Sequence, residues 1–308
     1  MAKNDNSATF ALDKAQVRAT FERAAQSYDA VAVLQREVAD RMLERLELVK
    51  FRPETILDAG CGTGYGARAL ARRYPHARIV GLDIAAAMAA RAREKSGWWN
   101  RLARRRQRFV CGDAERLPLA DGSVDMVVSN LTLQWCRPEQ TFAEFRRVLR
   151  PGGLLMFTTF GPDTLKELRA AWGAADASVH VHAFLDMHDL GDMLVRALLA
   201  DPVMDVERLT LTYKDALEVL RDLKQLGAHN VAQARARGLT GKERFARFKV
   251  AYEALAIDGR IPATYEVVYG HAWAPLKRGE GRGTRGEGWK AVSVAKRISS
   301  PAQGIKEG

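Results

Sequence analysis

The sequence predicts an α/β fold, a doubly wound and mostly parallel sheet with helices on both faces. Three observations predict it. Seven short runs rich in aliphatic and β-branched residues punctuate the chain, at 55–60, 78–84, 108–113, 124–130, 153–160, 206–213 and 263–274. Stretches with helical spacing of apolar residues separate them, among them 66–74 and 138–149, and strands that alternate with helices pair in parallel through crossovers. The composition, 47% apolar and 28% charged over 308 residues, is that of a globular chain able to bury a full core.

Taken in order, residues 13–48 carry Val17, Phe21, Ala24, Ala25 and Tyr28, then Val31, Leu34, Val38, Met42 and Leu46, at helical intervals. This predicts two amphipathic helices ahead of the first strand, placed to act as a lid. TILDAG, RIVGLDI, RFVCGD, VDMVVSN and GLLMFTTF supply the first five strands. Pro151-Gly152-Gly153 ends the helix before the fifth, as a helix-to-strand turn requires. Pro162-Asp163-Thr164 starts a helix through Leu165, Leu168 and Trp172. Beyond it the alternation turns irregular: a strand at 206–213, helices at 215–228 and 243–256, and a final strand at 263–274. These predict an antiparallel edge to the sheet and helices inserted over its C-terminal rim. The domain organisation is thus a disordered N-terminus (1–12), one domain over 13–275, and a basic tail (276–308). Within the domain, 13–50 form the lid helices, 54–160 the core, and 161–275 the substrate-side helices and edge strands. The tail is rich in Gly and charge without period and is read as disordered.

The formal charge of +11 invites a nucleic-acid reading, but it is concentrated. Residues 277–308 hold eight Lys or Arg against three Glu, and a second cluster runs through Arg91, Arg93, Lys95, Arg101, Arg104, Arg105, Arg106 and Arg108. The tail has one aromatic, Trp289, a poor basis for stacking on bases, so nucleic acid is not the expected partner. Cys61, Cys111 and Cys136 are odd in number and lack pairing or metal-type spacing, which points to a reduced, cytoplasmic protein. MAKNDNSATFALDKAQ has no apolar signal region, and no window of about eighteen apolar residues exists, so neither secretion nor a membrane span is predicted. His180, His182 and His188 have ligand-like spacing but no convincing fourth donor, and no metal is expected. The Trp98-Trp99 pair finds no assignment.

The chemistry concentrates after the first strand, where Gly60, Gly62 and Gly64 form G-x-G-x-G. Glycines there let the backbone approach a ligand, because they accept positive φ and carry no Cβ. Alone the pattern also suits a dinucleotide, whose loop reads G-x-G-x-x-G. Three carboxylates turn the reading toward S-adenosylmethionine (SAM). Asp58 ends the first strand, where dinucleotide sites hold an apolar residue; Asp83 ends the second, where a carboxylate can accept both ribose hydroxyls; and Asp113 follows the third, at the position where SAM enzymes hold adenine. Ile84, Ala114 and Asn130 complete the expected cofactor set. Asp83 could also cap the helix that follows, a role that can coexist with the first, and Asp113 could be a solvated loop residue. Cys61 is read as a small residue in a tight loop, not a nucleophile.

These motifs resemble a Rossmann-like class I methyltransferase. Further runs resemble one of its families, the malonyl-acyl-carrier-protein O-methyltransferases that begin biotin synthesis: FERAAQSYDAVAVLQRE (21–37), SNLTLQWC (129–136), LLMFTTFGPDTLKEL (154–168), DLKQLGAHN (222–230) and PATYEVVYG (262–270). The resemblance covers about residues 13–274 and departs in the Arg-rich 91–108 segment and the tail. It implies a seven-stranded sheet, SAM without a metal, and methyl transfer to the free carboxylate of a malonyl thioester. The implied partner is an acyl carrier protein, with malonyl-CoA as the alternative carrier. It raises Tyr28, Arg36, Gln134, Trp135, Lys224 and Tyr265 as catalytic candidates, with His229 beside them. A carboxylate is ionised at pH 7, so the reaction calls for orientation, an anchoring cation and a dry pocket, not a triad. Two other readings share the cofactor motifs: a methyltransferase of another small molecule, such as a quinone precursor, and a SAM-sensing nucleic-acid-binding protein. Ser129-Asn130-Leu131-Thr132 lacks the N/D-P-P-Y/F element of exocyclic base methylation.

Overall fold

A computed structural model describes residues 12–97, 106–176, 178, 180, 181, 183–227 and 241–276. The Trp98-Trp99 pair, His182, His229, nearly all of the predicted N-terminal disordered segment and the predicted basic tail beyond residue 276 lie outside these residues.

Three helices precede the sheet where two were predicted: α1 (Lys14–Ala24), α2 (Tyr28–Val31) and α3 (Val33–Arg45). Asp13 caps α1, its carboxylate accepting from the Gln16 amide, which satisfies one of the free donors of the first turn. The alternation then runs β1 (Thr55–Ala59), α4 (Tyr65–Arg73), β2 (Arg78–Asp83), α5 (Ala86–Lys95), β3 (Gln107–Cys111), β4 (Val124–Ser129), α6 (Pro138–Val148) and β5 (Leu149–Phe160). The fifth strand begins directly after α6, without the predicted break. Its first residue pairs with Val124, residues 150–153 bulge out, and regular pairing resumes at Leu154 with Met126. Gly152, at φ +74, carries the bulge.

The remaining elements are α7 (Lys166–Ala175), α8 (Met187–Arg196), β6 (Ala200–Tyr213), α9 (Ala216–Gln225), α10 (Lys242–Glu253) and β7 (Ile261–Trp273). Helix α8 was not foreseen; Asp186 caps it, accepting from the His188 amide. The seven strands lie in the order β3-β2-β1-β4-β5-β7-β6. Strands β1 to β5 pair in parallel, whereas β7 runs antiparallel to both β5 and β6. The antiparallel strand therefore sits one place in from the edge, not at it.

Alternation along the central strands divides the core. Ile56, Ile79, Met126, Val128, Leu154 and Met156 face Leu34, Val38, Met42, Leu70 and Ala92, from α3, α4 and α5. Leu57, Leu82, Val127, Leu155 and Phe157 face Phe142, Phe145, Leu190 and Leu194, from α6 and α8. Burying Phe142 or Phe145 contributes roughly 2–3 kcal/mol each. With both faces covered, the ligand space is left at the C-terminal ends of β1, β2, β3 and β4, roofed by α1 and α2. Among the described residues no helix is long and apolar enough to cross a membrane.

Candidate active site

The glycine loop turns on positive φ at three points: Gly60 at +80, Gly62 at +51 and Gly64 at +81. Space is as limiting as backbone angle. A Cβ on Gly60 would stand 1.9 Å from Thr132 Oγ1, and one on Gly64 would stand 2.9 Å from the Ala92 Cβ. The amides of Gly60 and Cys61 donate to the Leu82 carbonyl at 2.7 and 2.9 Å, which folds the loop against β2. Cys61 is buried in it, and burial pushes its thiol well above the usual range, so it has no nucleophilic character.

Two carboxylates flank the loop in different ways. Asp83 is held open toward the cavity, its Oδ2 accepting from the Gly62 amide and its Oδ1 from the Ala85 amide, both at 2.9 Å. Burial pushes it up to about 6 despite these two bonds. Ala85, not Asp83, occupies the cap position of α5. Asp58 lies behind the loop and does not line the cavity. Its Oδ2 is buried without a hydrogen-bond partner, and burial, with Asp83 nearby, raises the group to about 7.

The opposite wall comes from the chain after β3 and β4. Gly112, Asp113 and Ala114 line it, with Asn130, Leu131, Thr132, Trp135 and Cys136. Asn130 is fixed at both ends: its Nδ2 donates to the Gln35 carbonyl at 3.0 Å and its Oδ1 accepts from Thr158 Oγ1 at 2.8 Å. Leu131 adopts φ +47, a left-handed conformation that costs about 1–2 kcal/mol in a non-glycine residue. Thr158 holds it there, accepting the Leu131 amide at Oγ1, 2.9 Å away. That bend carries Thr132 over Gly60.

The lid closes over about 600 Å³, part of it continuous with solvent. Val17 and Phe21 of α1 and Tyr28 of α2 face the cavity, and Phe21 meets Trp135 edge-on at 5.4 Å. Asp29 pins the lid to the glycine loop by accepting from Thr63 Oγ1 at 2.6 Å, and it also pairs with Lys95. Burial and the nearby Asp83 push the Tyr28 phenol upward, so it stays a neutral hydroxyl.

Of the residues singled out from the sequence, the cavity brings together Gly60, Gly62, Asp83, Ile84, Asp113, Ala114, Asn130, Tyr28 and Trp135. Asp58, Cys61 and Gly64 shape the loop beneath. Four catalytic candidates lie outside the lining. Arg36 donates to the Asp29 carbonyl at 2.6 Å. Gln134 donates to the Leu131 carbonyl at 2.7 Å and accepts from Thr159 Oγ1 at 3.2 Å, so both ends of its amide serve the loop after β4. Lys224 is exposed on α9. Tyr265 is buried on β7 beyond the end of β5, its ring 5.6 Å from that of Phe160. His180 stacks on Trp172 at 3.8 Å and pairs with Asp176, while His188 pairs with Asp186. Sequence reasoning missed Lys14, Met88 and Thr132, which line the cavity, and Glu115, which holds Lys14 from outside the lining. No spacing signals them, since each reaches the site from a separate element.

A family model described as a methyltransferase domain matches residues 57–157. The chain is 56% identical over 273 residues to a protein of Laribacter hongkongensis named malonyl-acyl-carrier-protein O-methyltransferase, covering 87% of this chain and 92% of that one. A protein of the same name from Gallionella capsiferriformans is 56% identical over 271 residues, covering 87% and 93%. Among solved structures, the YcgJ protein of Bacillus subtilis aligns with a TM-score of 0.53 at 17% identity, covering 78% of this chain and 98% of that chain, which bears on the fold alone.

Proposed function

The chain belongs to the malonyl-acyl-carrier-protein O-methyltransferase family, and on that premise we propose that it transfers a methyl group from SAM to the free carboxylate of a malonyl thioester on an acyl carrier protein. The identity extends over 87% of the chain, and this observation carries the substrate reading. The product is the malonyl methyl ester with which pimeloyl formation in biotin synthesis begins.

The residues present fit the cofactor. A loop with no room for a Cβ at Gly60 or Gly64, a buried carboxylate turned to the cavity and a half-exposed carboxylate across from it suit a backbone-hugging amino-acid end, a ribose and an adenine in turn. Gly60 and Gly62, on the turn that Gly64 shapes, would hold the first, Asp83 the second, and Asp113 with Ala114 the third. Bound there, SAM supplies an electrophilic methyl group on a sulfonium.

What the protein must add is position. A malonyl carboxylate is already ionised at pH 7, so no side chain need take a proton. Tyr28, Asn130 and Trp135 wall the space beside the glycine loop, and the two bonds that fix Asn130 suit it to orient an acceptor group without reorganising. The apolar faces of Val17, Phe21 and Trp135 exclude water from the approach. Arg36, Lys224 and Tyr265 remain candidates for the acceptor side, where a cation would hold the thioester's carrier or its charge.

The experiment incubates the protein with methyl-labelled SAM and malonyl-acyl carrier protein. Label should pass to the acyl carrier protein and be lost in mild alkali, as a carboxyl methyl ester is. Absent or base-stable label overturns the reading.

A further inference from the structure

One cation reaches the cavity from the lid. Lys14 is the first residue of α1, and the Asp13 cap sets where that helix begins. Its ammonium lies 3.0 Å from Asp113 Oδ1 and 2.8 Å from Glu115 Oε1. Glu115 is buried and anchored through both oxygens, Oε1 accepting from the Arg137 amide at 2.8 Å as well as facing Lys14, and Oε2 accepting from Arg137 Nε at 3.0 Å. The Glu115 amide in turn donates to Asp113 Oδ1 at 3.0 Å. Lys14 thus closes a small, nearly rigid circuit across the mouth of β3, joining residues 99 positions apart.

The circuit treats the two oxygens of Asp113 unequally. Both donors fall on Oδ1, and among the described residues none donates to Oδ2. A carboxylate clamped through one oxygen keeps its plane fixed and offers the other oxygen, with its charge intact, to a donor in the cavity. The ligand group that matches is an exocyclic amino group with two N–H donors. Although burial works against its charge, Lys14 is held above the usual lysine range by Cys136, Glu115 and Asp113, so it stays cationic wherever the enzyme works.

We infer that Lys14 is a positioning residue for adenine recognition: it clamps Oδ1 of Asp113 so that Oδ2 meets the exocyclic amino group of the cofactor's base, and it thereby couples closure of helix α1 to that base. The inference rests on the reading of Asp113 as the adenine contact. The coupling has a physical route, because α1 carries both the clamp and two walls of the cavity, Val17 and Phe21. Whatever a bound amino group contributes to Asp113 must also favour the closed lid, since linkage is reciprocal.

The test measures binding without turnover. S-adenosylhomocysteine and S-inosylhomocysteine, which has a carbonyl oxygen in place of the amino group, are titrated calorimetrically into the wild type, Lys14→Met and Lys14→Arg. Lys14→Met should lose on the order of tenfold in affinity for the adenosyl ligand and much less for the inosyl one. Discrimination between the bases should shrink, and Lys14→Arg should restore part of it. In an Asp113→Asn background, Lys14→Met should cost no further discrimination. Amide exchange in α1 should slow on adding S-adenosylhomocysteine to the wild type and not to Lys14→Met. Equal weakening of both ligands, or of neither, overturns the inference, as does full additivity of the two substitutions. A wild type that binds neither ligand overturns the cofactor reading itself, a result distinguishable from these.

Discussion

The β3-β2-β1-β4 side of the sheet and the β5-β7-β6 side differ in how they present chemistry. On the first, the groups that face the cavity sit at or just after strand ends and are fixed by backbone bonds: Gly60 to Leu82, Asp83 to Gly62 and Ala85, Asn130 to Gln35. On the second, the groups flagged by family resemblance are dispersed, with Tyr265 buried in β7 and Lys224 exposed on α9. A cofactor common to many reactions is met by strand ends, which a parallel sheet aligns automatically. The candidates proposed for the acceptor come instead from elements far apart in the chain.

The severest way to probe this contrast is Gly60→Ala. The new Cβ would overlap Thr132 Oγ1 in a residue already at φ +80, so SAM affinity should fall by about a hundredfold or more in calorimetry. Retained affinity would show that the strand-end cradle is softer than its packing implies.

A smaller, graded effect comes from protons. Asp83 and Asp58 are raised from 3.8 to about 6 and about 7 in the ligand-free fold, so between the unfolded value and its own folded value each carries a proton that the unfolded chain has released. Their contribution to stability is therefore complete below the unfolded value and is lost as pH rises through 6 to 7. Binding a cation runs the other way. SAM affinity should climb several-fold from pH 5.5 to 7.5, with proton release visible as a dependence of the binding heat on the buffer, while thermal stability without ligand declines (an order-of-magnitude expectation of about three- to tenfold in affinity). Asp83→Asn should flatten most of the affinity change, and an unaltered pH profile would remove Asp83 from the site.

The smallest effect belongs to the other side of the sheet. Lys224→Ala removes an exposed charge and should raise KM for malonyl-acyl carrier protein by about threefold or less, leaving SAM affinity unchanged. A larger rise would show that α9 grips the acceptor directly.

The legible part of the molecule is the part governed by short-range rules. Gly60, Gly62 and Gly64 announce positive φ, and Asp83 announces the end of a strand, within a few residues of sequence. Helix α8 was illegible because MHDLGDMLVR mixes Gly and short polar residues, and its apolar pair, Leu190 and Leu194, is defined by packing on α6 and β6. The position of β7 inside the sheet rests on pairing with strands far apart in the chain. Lys14 and Glu115 were invisible for the same reason, since nothing local ties an N-terminal lysine to a carboxylate after β3. Gln134 shows the converse. Its place in a distinctive run suggested chemistry, and the structure ties its amide to Leu131 and Thr159.

The inward place of β7 also bears on the order of synthesis. Among the described residues, strand β6 pairs with β7 alone, and β7 is the last strand made. Until Ile261–Trp273 has emerged, a growing chain holds β5 with one open edge and β6 with no neighbour at all. An open edge beside the buried run Leu154–Phe160 is a template for pairing with another nascent chain. The final strand is thus the keystone, and any early stop upstream of it leaves a sticky five-strand intermediate rather than a shorter enzyme.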